Sequence, residues 1–135
     1  MKHMREKEAS LKVKIIAICV IITVLCGCHS IENKNIPAEL VGEWITSEPR
    51  YAGCVLELTD GVIIFGNGPD HLSINYVVNV KKVSHGKTTL YTIYYEDSRG
   101  LKYTFPVLFG FENRKRILRF KNQDHVVWTK RKRLL

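Results

Sequence analysis

The segment LSINYVVNVKKV, residues 72–83, decides the fold class. Leu72, Ile74, Tyr76, Val78 and Val80 fall on one side of a two-residue period, and Ser73, Asn75, Asn79 and Lys81 on the other. Successive strand side chains point to opposite faces, so this pattern predicts a β-strand with an apolar inner face. The next segment, TTLYTIYYE at 88–96, is rich in the β-branched and aromatic residues that suit a pleated surface. Leu101, Tyr103, Phe105, Val107 and Phe109 make another alternating face, opposite Lys102 and Thr104. Pro106 has no N–H to give a ladder, which predicts an edge or a bulge there. Upstream, Cys54, Leu56 and Leu58 share one face of CVLELT at 54–59. Asp60-Gly61 signals a hairpin into VIIF at 62–65.

GEWITS at 42–47 reads as the first strand, and 116–121 and 126–130 as the last two. Turn-forming residues at 66–70, 84–87, 97–100 and 122–125 separate the strands. Pro37–Val41 has room for one helical turn, with Pro at its first position and Gly42 after it. About eight short strands with no crossover helix predict an all-β antiparallel meander, closed as a small up-and-down barrel or strongly bent. Closure removes exposed strand edges, which are aggregation-prone.

The first residues, MKHMREKEASLKVK, carry five cations against Glu6 and Glu8 and are followed by the uncharged run IIAICVIITVL at 15–25. A basic start before an apolar run of this length marks a signal peptide. The run ends in Leu25-Cys26-Gly27-Cys28, which resembles the lipobox of bacterial lipoproteins. The resemblance implies cleavage before Cys28, a diacylglyceryl group on its thiol and an acylated amino terminus. It also implies a cell-envelope location, on the outer side of the cytoplasmic membrane or, with His29 rather than Asp after Cys28, in the outer membrane facing the periplasm. An uncleaved N-terminal anchor is the alternative. The division is then 1–27 signal peptide, 28–36 tether, 37–130 barrel and 131–135 basic tail.

Removal of 1–27 leaves 108 residues, enough for one core. Lys and Arg then number 16 against 11 Asp and Glu, and much of the surplus is Lys130-Arg131-Lys132-Arg133. The body is only mildly basic, so no general nucleic-acid footprint is expected. The tail suits anionic lipid headgroups or plain solvation. The lipobox resemblance implies that Cys19 and Cys26 leave with the leader and that Cys28 carries lipid, which would leave Cys54 alone with no disulfide partner. Structural zinc needs four ligands, and Cys26, Cys28 and His29 have no second pair downstream. No cofactor is expected beyond the covalent lipid.

Gly42-Glu43-Trp44, on the first strand after a single turn, resembles the G-x-W of lipocalins. The resemblance implies that Trp44 closes one barrel end against a cation of the last strand, where Trp128 is followed by Lys130 and Arg131. It also implies a small apolar ligand, which requires an interior cavity. Filling of the barrel by Leu56, Tyr76, Phe105 and Phe120 would exclude that. Trp44, Arg50, Tyr51 and Trp128 are the candidate binding residues, being the types enriched at hot spots. Arg50 has an ordinary alternative in pairing with Glu48 or Glu57, and Tyr51 in covering the barrel end. Cys54 reads as a small buried hydrophobe. Asp70-His71 and Asp124-His125 are acid–histidine pairs in turns, and an enzyme would need His71 and His125 to converge. No nucleophile elbow or phosphate loop accompanies them.

The sequence thus predicts a non-enzymatic binding module at the envelope, with an envelope protein as partner or a small apolar ligand as the alternative. Cys28→Ala should leave the precursor uncut, and mass spectrometry of membrane-extracted wild type should find an acylated Cys28 at the amino terminus. Normal processing of the variant would reject the lipobox.

Overall fold

The computed structural model describes residues 31–132; Cys26, Cys28, His29 and the signal segment lie outside the described residues. Nine antiparallel strands form one sheet: β1 (Ile31–Asn33), β2 (Gly42–Thr46), β3 (Cys54–Leu58), β4 (Val62–Asn67), β5 (Leu72–His85), β6 (Thr88–Glu96), β7 (Lys102–Glu112), β8 (Lys115–Phe120) and β9 (Gln123–Lys130). β2 to β9 follow one another as neighbours, β2 pairs with β9, and β5 pairs with β6. The result is the expected eight-stranded up-and-down barrel, closed on itself. Hairpin geometry follows local chemistry. Thr59 N–H donates to Val62 C=O at 3.0 Å around Asp60-Gly61. Asn113 and Arg114, both with positive φ, make the turn between β7 and β8.

β5 departs from the simple alternation. Leu72, Ile74, Tyr76 and Val78 lie on the outer wall and are exposed, while Val80 is buried inside. A register shift between Val77 and Asn79 supplies the reason: an extra residue in the ladder exchanges inner and outer faces. Above it the inward position belongs to Asn75, only 3% exposed, whose amide nitrogen donates to Ile63 C=O, Ser73 C=O and Ser73 Oγ. A buried amide is tolerable only when so bonded. The outward Ile74 and Tyr76 stand opposite Ile64 and Val62 of β4.

Three further details have local causes. Pro106 lies within β7, opposite Thr92, without a bulge. The β8 ladder begins one residue further on, at Val107↔Phe120, and Pro106 C=O still accepts from Lys121 N–H at 3.1 Å, so the absent N–H falls where that ladder ends. Ile31–Asn33, within the segment read as a tether, joins the sheet as β1. It pairs with Val80–Lys82 because β5 outruns β4 and leaves ladder positions open. Pro37–Leu40 makes a single hydrogen-bonded turn rather than a helix, Leu40 N–H donating to Pro37 C=O at 2.9 Å.

That turn crosses one mouth of the barrel. Ile36 and Leu40 are buried there beside Trp44, Leu58, Val80, Tyr91 and Leu118. Trp44 Nε1–H donates to Leu40 C=O at 2.8 Å. Lys130 Nζ lies 5.7 Å from the centre of the Trp44 ring, and Arg131 pairs with Glu43. Gly42 is required by its backbone, with φ +138°; a Cβ would also come within 2.4 Å of Lys130 Cε, which the flexible lysine can relieve by shifting. Glu39 accepts from the Tyr91 hydroxyl and faces Lys82 at 3.5 Å. The Tyr91 hydrogen bond holds the Glu39 carboxyl below the usual carboxylate range. Burial first, then the bond to Glu39, push the Tyr91 hydroxyl upward.

Gly42→Ala should therefore cost about 1–3 kcal/mol in chemical denaturation, the range for a side chain forced into a sparsely populated backbone region. Lys130→Ala in the same chain should recover only the steric part. Glu39 has a depressed folded pKa, so its contribution is complete above the unfolded value, about 4.3, and is lost as pH falls through the folded one. Tyr91→Phe should flatten that acid limb and lower stability at neutral pH by about 1 kcal/mol.

Candidate functional site

The opposite mouth is open. A cup of about 480 Å³ lies there, lined by Tyr51, Cys54, Leu56, Phe65, Phe120 and Trp128, with Asn67, Asp70 and His71 on its lip. Its floor is a run of rings. Phe120 stacks on Trp128 at 5.0 Å between centroids, Phe105 meets Phe120 edge-on at 4.9 Å, and Phe65 meets Phe105 at 5.5 Å. These rings occupy the inward positions one step above the sealed core, so the strand pattern that fills the barrel also paves the cup. Of the residues expected to fill the barrel, Leu56 belongs to the buried core, and Phe105 and Phe120 are partly buried and pack against it at the base of the cup. Tyr76 does not, since the bulge in β5 leaves it on the outer wall.

The wall is built by the segment between β2 and β3. Glu48 N–H donates to Thr46 Oγ1 at 3.2 Å, and Pro49–Tyr51 forms a single 3₁₀ turn. Tyr51 is thereby set against Trp128, with centroids 5.6 Å apart, and its hydroxyl donates to Gln123 Oε1. Across the cup the β4–β5 loop is tied to the same wall: Gly68 N–H reaches Gly53 C=O at 3.3 Å. The Cys54 thiol points to Asn67 Oδ1 at 3.6 Å. Cys54 shares a face with Leu56 and Leu58 as its spacing predicts, but at the open end of that face, where it is only half-buried.

Of the four candidate binding residues, the structure brings Tyr51 and Trp128 together in the cup. Trp44 is fully buried at the closed end. Arg50 is exposed outside the cup, 3.6 Å from Glu48 and 3.4 Å from His125 Nε2. His71 stands on the lip and no hydrogen bond joins it to His125. Among the described residues no three His, Cys, Asp or Glu side chains are placed to hold a metal ion. Cys54, Phe65, Asn67 and Phe120 are cup residues that sequence reasoning did not select. The inward parity of Phe65 and Phe120 was readable, but not their height along the barrel.

One polar atom in this region lacks a partner. Trp128 is 3% exposed, and its Nε1–H finds no acceptor among the described residues. Leaving a buried donor unsatisfied costs about 1–3 kcal/mol. Comparison with family models, with curated proteins and with solved structures gives no match in any of the three.

Proposed function

We propose that the chain is a lipid-anchored binding module of the cell envelope, and that its small lipocalin-like barrel takes a small apolar molecule in the open cup. The cup carries this reading. Its volume of about 480 Å³ falls within the range of small-molecule sites, and its lining is mainly apolar and aromatic with a few polar groups on one side. The barrel below is filled by its own side chains, so the ligand rests in the mouth rather than in a deep central cavity. The Gly42, Trp44 and Lys130 arrangement supports the lipocalin-like reading of the closed end. The anchor rests on Leu25-Cys26-Gly27-Cys28.

The test uses the full chain in nanodiscs and a short, water-soluble alkyl ketone bearing bromine, a heavy-atom quencher. Trp44 is sealed at the other end, so saturable quenching of tryptophan emission reports on Trp128. Cys54→Phe, which fills the cup from its wall, should weaken the interaction at least about tenfold, since occupied space excludes the ligand. Trp128→Phe should remove the signal. Non-saturable quenching, or equal affinity in the filled variant, rejects the cup as a binding site.

A further inference from the structure

The closed end carries a second surface. The β7–β8 hairpin projects there, and its turn places Arg114, Lys115 and Arg116 beside the end of β9. A groove of about 460 Å³ runs between them, lined by these three with Thr129, Lys130 and Lys132. None of the ion pairs among the described residues involves Arg114, Lys115, Arg116 or Lys132. The nearby acids are engaged elsewhere: Glu112 holds Arg119 at 2.7 Å and Glu43 holds Arg131. Arg114 also occupies left-handed backbone, φ +62°, at a turn position where glycine is the cheaper residue. Opposite Arg116 stands Phe111, 65% exposed and extending beyond Phe109 at the barrel rim.

An exposed ring flanked by uncommitted cations matches the chemistry of a bilayer interface, where the ring enters the acyl boundary and the cations meet anionic headgroups. The path of the chain selects the same end. β1 runs antiparallel to β5, so Ile31 lies toward the β5–β6 hairpin, and Lys132 follows the last residue of β9. Both described ends of the chain therefore leave at the closed end. Cys28 precedes Ile31 by three residues, a reach of roughly 10 Å at most.

We infer that the closed end, through Phe111 and the cations Arg114, Lys115, Arg116 and Lys132, docks on an anionic lipid surface and holds the cup facing away from it. The orientation rests in part on the anchor proposed above; the docking surface stands on its own charges. Phe111→Trp places a reporter on an exposed rim position. The full-length variant is reconstituted with vesicles of phosphatidylcholine bearing brominated acyl chains, with or without phosphatidylglycerol. Quenching of the added tryptophan is expected with phosphatidylglycerol and not without it. It should vanish at 1 M salt, where the screening length falls to about 3 Å, and in the Arg114→Gln, Lys115→Gln, Arg116→Gln background. Flotation of the chain with neutral vesicles and the mass of Cys28 report the anchor separately. Chain that floats with anionic vesicles while its Trp at 111 stays unquenched overturns the docking surface, whatever Cys28 carries. A response to a single-stranded oligonucleotide instead of to anionic vesicles would likewise overturn it.

Discussion

The extra residue in β5 between Val77 and Asn79 is the constraint on which the architecture turns. Bulges bend a strand and strengthen its local twist. Here the strand pairs with β4 before the bulge and with β1 after it, while β6 pairs with its other side from Tyr76 to His85, across the bulge. Closure depends on that continuity, since β5–β6 is the pairing that completes the ring. The same irregularity sets which side chains enter the barrel. Val80 joins Ile93 and Tyr91 in the sealed half, whereas Asn75 and Ser73 face inward near the mouth. Polar residues near one end and a dense apolar core at the other give the barrel its polarity.

That polarity separates two kinds of aromatic packing. At the closed end Trp44 is fixed by Leu40, Lys130 and the space granted by Gly42, and nothing of it faces solvent. At the open end Phe105, Phe120, Trp128 and Tyr51 form a continuous run of contacting rings with a hollow above it. Rings in contact hold their orientation through area and edge-to-face preference. The cup is therefore a preformed surface, with its wall pinned by the Pro49–Tyr51 turn and the Gly68–Gly53 hydrogen bond.

Much of this was legible from local chemistry. Asp60-Gly61, the 97–100 turn and the alternation in 102–109 each specify a hairpin or a face without reference to distant residues. The lipocalin-like pairing of Trp44 with a last-strand cation also came from short motifs, and Lys130 rather than Arg131 occupies that place. The misjudged stretch was Leu72 to Val78, where the apolar members of the alternation lie outside. Period-2 patterning identifies a strand and its two faces, but the buried face depends on partner register, and a bulge can exchange the faces midway. The cup was illegible for a related reason. Its lining comes from six separate elements whose heights coincide only once the barrel is closed, and Cys54 reads as core from its own strand alone.

β1 has a mechanical consequence. Its three residues contribute backbone pairs to β5, and all three are exposed, so the core does not depend on them. The first firmly held position is Ile36, buried and bonded through its N–H to Asp60 C=O. Detaching β1 would free the five residues 31–35, which span roughly 17 Å at most when fully extended, to point away from β5. The barrel would keep every one of its closing ladders. β1 thus fixes the direction of the described chain more than its length: paired, it points Ile31 along β5 toward the closed end; unpaired, residues 31–35 could swing about Ile36 without disturbing the barrel.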